Sequence, residues 1–80
     1  MASMAKVLKT IEEAKNTVDG QIKIVFTDNG ERRQVEASVW DITVRPGQII
    51  IDYLETWRAD IVLFEEIQEI SMPMVEPSTK

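Results

Sequence analysis

The side chains best equipped for chemistry in this chain are carboxylates. Glu65, Glu66 and Glu69 form the tightest set, and Asp41, Asp52 and Glu55 lie on or beside stretches that read as strands. Glycoside cleavage needs two carboxylates converging across a pocket from rigid positions, one of them held protonated. A magnesium site needs oxygen ligands in an octahedron, usually completed by a substrate phosphate. Neither pattern is met, because no nucleophile, base and orienting group stand at a diagnostic spacing. Histidine and cysteine are both absent. Their absence removes the commonest general base and metal ligand at neutral pH, together with thiol catalysis and disulfides. Gly20, Gly30 and Gly47 are isolated, and each suits a turn better than a phosphate-cradling loop. The acids therefore read as a solvated face, and the chain is expected to be noncatalytic, with no metal or cofactor.

The basic side chains give a second possibility. Arg32, Arg33, Arg45 and Arg58, with Lys23 on a strand, could join Trp40, Tyr53 or Trp57 in a surface where bases stack and cations hold phosphates. A formal charge of −5 opposes this, and no RNP-like or helix-turn-helix pattern is present. Trp57 beside Arg58 has the composition of a protein-contact hot spot. Trp40 stands among alternating residues and is expected in the core.

These side chains have to be carried by a small scaffold. Eighty residues make one domain, with residues 1–72 as the folded unit and 73–80 as a C-terminal tail. A hydrophobic share of 44% is ordinary for a globular chain. No apolar run is long enough to cross a bilayer, and Lys9, Glu12, Glu13 and Lys15 follow the first residues too soon for a signal peptide. The expected location is cytoplasmic, with no membrane partner.

From Ser3 to Val18 the residues Met4, Val7, Leu8, Ile11, Ala14 and Val18 make one apolar stripe of a helix. Ser3 can cap its start and Gly20 can stop it. A competing reading makes Lys6–Lys9 a short strand and starts the helix at Thr10, where Thr10-Ile11-Glu12-Glu13 matches a capping box. Gln21–Thr27 alternates, and Asp28-Asn29-Gly30-Glu31 signals a tight hairpin. The returning strand changes phase near Val39 and Trp40, which a β-bulge explains; the rival is a break, with a new strand from Trp40. Arg45-Pro46-Gly47-Gln48 is a second turn. Gln48–Leu54 is apolar on both faces and reads as a central strand, interrupted by Asp52. That acid either protects an edge or pairs with Arg45 or Arg58. Arg58-Ala59-Asp60 is expected to turn, Ile61–Phe64 to form a strand, and Glu65–Ile70 to pass through a 3₁₀ turn into a last strand.

The resulting fold class is α+β, mainly β: a helix, then five short, mostly antiparallel strands curled into a barrel-like sheet. This element order is similar to SH3-like and Sm-like barrels, with no residue motif behind the similarity. The alternative is an open antiparallel sheet with the helix laid across it. Val25, Ile50, Val62 and Phe64 fall opposite the faces assigned to the core. Ile50, Trp57, Val62 and Phe64 are thus the expected interface of a protein-interaction or assembly module, a homo-oligomer or the companion of a larger protein. Nucleic-acid binding through Lys23, Arg32, Arg33, Arg45 and Arg58 is the alternative.

Overall fold

A computed structural model describes residues 3–73. Ser3 opens the fold: its Oγ accepts from the Lys6 amide at 3.1 Å, and helix α1 follows as Met4–Ala14. Thr10 lies inside this helix, where its Oγ1 donates to the Lys6 carbonyl at 2.8 Å, so a strand at Lys6–Lys9 is ruled out. The helix ends before the apolar stripe does. Thr17 Oγ1 donates to the Ala14 carbonyl at 2.8 Å and accepts from the Gly20 amide at 3.0 Å. That hydroxyl turns the chain away from the helix axis and leaves Val18 fully exposed.

β1 (Gln21–Asp28) and β2 (Glu31–Ser38) form the first hairpin. Asn29 at φ 54 and Gly30 at φ 83 supply the left-handed pair of a type I′ turn. β3 (Ile42–Arg45) and β4 (Gln48–Tyr53) meet across the Pro46-Gly47 turn. β5 (Arg58–Leu63) pairs with the other side of β4, which is central as its two-faced sequence implies. β6 (Ile67–Ser71) returns antiparallel to β1.

The five-stranded SH3-like or Sm-like barrel does not form. The six strands make two open three-stranded sheets, in the orders β2-β1-β6 and β3-β4-β5. Nor is there one open sheet under a helix. The physical cause is a pair of 3₁₀ turns, Val39–Asp41 and Phe64–Glu66: the first breaks what was expected as one long bent strand, and the second stands where a 3₁₀ turn before the last strand was expected. Each turn ends one ladder and starts the next in the other sheet, so no ladder crosses between them. At the first turn Ser38 Oγ accepts from the Trp40 amide at 3.2 Å. Val39 takes the core position, and Trp40, expected inside, is 67% exposed. Arg58-Ala59-Asp60 opens β5 rather than turning; the turn lies at 54–57. The tail assigned to 73–80 lies, beyond Pro73, outside the described residues.

One apolar layer joins the elements. Val7, Ile11 and Ala14 of α1, Ile22, Ile24 and Phe26 of β1, Ile49 and Ile51 of β4, Val62 of β5, and Ile67 and Ile70 of β6 belong to a single buried cluster. The register explains it, since Ile24 lies between Val35 and Ile70, and Ile49 between Val44 and Val62.

Gly20 and Gly47 separate two costs of placing a side chain. Both have positive φ, 61 and 78. A Cβ on Gly47 meets nothing within 4 Å, whereas one on Gly20 stands 3.0 Å from Val39 Cγ1 and 3.3 Å from Trp40 Nε1. Gly47→Ala is expected to cost about 1–3 kcal/mol through left-handed strain alone. Gly20→Ala carries that strain and also displaces a core valine, so its denaturant midpoint should fall below that of Gly47→Ala. Equal midpoints would count against the close approach at Gly20.

Candidate functional site: the outer face of the second sheet

Alternation along β4 sends Ile49 and Ile51 inward and Gln48, Ile50 and Asp52 outward. The ladders carry this across the sheet: Ile50 lies between Thr43 and Ile61, Gln48 between Arg45 and Leu63, and Asp52 opposite Ala59. Ile50 is half-buried, but Ile61 is 63% and Leu63 is 38% exposed. The outer face of the first sheet differs. Its rows read Glu36–Lys23–Ser71 and Gln34–Val25–Glu69, with Thr27 beside Arg32. Val25 is buried there, with polar residues beside it in each row.

The β4–β5 turn extends the apolar face. Leu54 is 66% exposed and Trp57 is 92% exposed at φ 57. A recess of about 190 Å³ brings Leu54 and Trp57 together with Asp52 and Ala59, at the end of the outer face. The expected interface residues therefore divide. Ile50 is half-buried on the outer face and Trp57 exposed at its end, while Val62 and Phe64 lie in the core cluster. The outward positions on β5 are Ile61 and Leu63. Sequence reading missed these two because the phase of Ile61–Phe64 depends on where the preceding turn falls, and 54–57 contains neither glycine nor proline. Pairing β5 against Ile49 and Ile51 was the signal that could have found them.

The basic residues are dispersed. Arg33 is held in place: its Nη1 donates to Asp28 Oδ2 at 2.9 Å, its Nη2 stands 3.3 Å from Asp60 Oδ2, and its guanidinium lies 5.3 Å from the Phe26 ring centroid. Asp28 and then Asp60 push its pKa up. Arg32, Arg45 and Arg58 are exposed and Lys23 is half-buried, and none of the four forms an ion pair among the described residues. Arg45 and Arg58 stand at opposite ends of the second sheet.

Glu36, Asp41, Asp52 and Glu55 line an open hollow of about 500 Å³, and among the described residues no group of three or more acids is placed to hold a metal ion. Glu66 is structural, its Oε1 accepting from the Leu63 amide at 3.1 Å. Asp52 is on the central strand, not an edge, and pairs with neither Arg45 nor Arg58. No family model, curated protein or solved structure matches the chain. Among the described residues no helix is long and apolar enough to cross a membrane.

Tyr53 donates its phenol hydrogen bond to Asp60 Oδ2 at 3.0 Å. Burial, then Asp60, pushes its pKa up to about 12, against a smaller lowering by Arg33. A folded pKa above the unfolded value of about 10 means the native state holds the proton longer. The associated stability is present below pH ~10 and is lost as pH rises towards ~12. The chain has one tyrosine, so an ultraviolet titration reads this group alone. It should titrate near 12 when folded, and Asp60→Asn should bring it down. An ordinary tyrosine titration in the folded parent would rule out the Tyr53–Asp60 contact.

Proposed function

We propose that the protein is a noncatalytic contact module that self-associates through the outer face of β3–β4–β5. The observation carrying this reading is the Ile50–Ile61 cross-strand pair, continued by Leu63, Leu54 and Trp57, on a sheet face that no helix covers among the described residues. Removing such a surface from water is favourable by roughly 25 cal/mol for each Å² of apolar area, and contiguous exposed patches on small proteins commonly mark contact sites. The same reading sets the protein in the cytoplasm, a reducing compartment compatible with a chain lacking cysteine.

Sedimentation across a concentration series tests it. The parent is expected to associate reversibly, Ile61→Lys to remain folded and monomeric, and the core change Ile24→Lys to unfold. A parent sedimenting as a single 9.2 kDa species at high micromolar concentration would remove the self-association reading.

A second reading is favoured by a separate observation: Arg32, Arg45 and Arg58 are exposed and outside any ion pair among the described residues, and Trp57 adjoins Arg58. On it, single-stranded nucleic acid would lie across the β4–β5 turn, a base stacked on Trp57 and a phosphate held by Arg58. Affinity should then fall as salt rises, and Arg58→Ala should lower the slope of log affinity against log salt by about 1. No binding of single strands at low salt would end this reading.

A further inference from the structure

The outer face of the second sheet is polarised along its strands. At one end Arg45 lies beside Gln48 and Leu63; in the middle are Thr43, Ile50 and Ile61; at the other end are Asp52 and Ala59. Neither Arg45 nor Asp52 has an ion-pair partner among the described residues. We propose that two copies stack these faces about a two-fold axis that lies in the interface and crosses the strands, so that Arg45 of each copy meets Asp52 of the other. This rests on the contact-surface reading above and names its occupant, a second copy of the chain.

Each row of the face finds its complement in this arrangement. Turning one copy end over end lays Ile50 on Ile50 and Ile61 on Ile61, which buries the apolar middle in a self-complementary contact of the kind two-fold dimers require. The Arg45 end falls on the Asp52 end, and large Leu63 falls opposite small Ala59. The alternative axis, running along the strands, lays Asp52 on Asp52 and sets Ile61 over Thr43, and like charges facing across an interface are costly. Aligned face-to-face packing of sheets about 10 Å apart is an ordinary geometry, within the reach of an arginine side chain.

The area sets the strength. Three strands about 4.8 Å apart and about five residues long at ~3.4 Å each give on the order of 250 Å² for each copy. Leu54 and Trp57 add to this at the Asp52 end, yet the total stays below the ~800 Å² per partner of a standard stable interface. The pair is accordingly weak, reversible and to be sought at high micromolar concentration.

Charge exchange followed by sedimentation equilibrium tests the arrangement, with circular dichroism to verify folding. Arg45→Asp and Asp52→Arg are each expected to weaken association by on the order of tenfold, because two symmetry-related pairs change sign together. An equimolar mixture of the two variants, and the double variant alone, should both regain the parent's association. A parent that associates and is split by Ile61→Lys, yet is indifferent to both charge reversals or is not restored by mixing, would overturn the pairing while leaving the contact surface in place. A monomeric parent would overturn both.

Discussion

The structure depends on one shared apolar layer. Two three-stranded sheets and one helix of 11 residues must hide their apolar faces in a chain too short for a second core. The cluster from Val7 through Ile24, Ile49 and Val62 to Ile70 meets that need by taking one face from each sheet. It leaves one face of each sheet outside it. On β2-β1-β6 that face carries Lys23, Gln34, Glu36 and Glu69 around a buried Val25. On β3-β4-β5 it carries Ile50, Ile61 and Leu63 instead. The proposed function rests on this difference between the two faces.

Where the two sheets part, a polar cluster closes the gap. Asp28 and Arg33 belong to the first sheet, and Tyr53 and Asp60 to the second, so Arg33–Asp60 and Tyr53–Asp60 are contacts from β2 and β4 onto one carboxylate of β5. Arg33 and its acids remain partly exposed, and exposed ion pairs contribute little, about 0–1 kcal/mol. The gain is greater in arrangement than in stability: a planar guanidinium resting on Phe26 and shared between two acids holds a fixed orientation. The sheets are thereby tied at a point no backbone ladder reaches. This commitment also takes Arg33 out of any nucleic-acid surface, although its neighbour Arg32 reads the same in sequence.

Turn chemistry was the legible part of the fold. Asn29-Gly30 and Pro46-Gly47 fix their hairpins through backbone conformations that few other residues adopt readily, and Ser3 sets the helix start through a single hydroxyl. The illegible part was phase. A β-strand repeats every two residues, so one displaced residue sends every later side chain to the opposite face. The 3₁₀ turn at Val39–Asp41 does this to Trp40, which loses the core to Val39. The turn at 54–57 does the same to β5, exchanging Val62 and Phe64 for Ile61 and Leu63. Both sites lack a glycine or proline to mark them. Barrel closure was beyond reach for the same reason, because it depends on whether the bend near Val39 and Trp40 is a bulge within one strand or a turn between two.

Trp57 shows where folding requirements end. A bulky residue at φ 57 occupies a region that costs non-glycine side chains roughly 1–3 kcal/mol, and strain of this kind is usually offset by packing. Here no packing offsets it, since the indole is 92% exposed. Glycine or asparagine would serve the turn at lower cost. The side chain lies instead at the Asp52 end of the one apolar sheet face, beside Leu54 and the small recess next to Ala59. A large aromatic side chain has few rotatable bonds to immobilise on contact, which is one reason tryptophan is effective at interfaces. On the proposed reading, contact with another molecule at that end of the sheet would account for the strain and the exposure together.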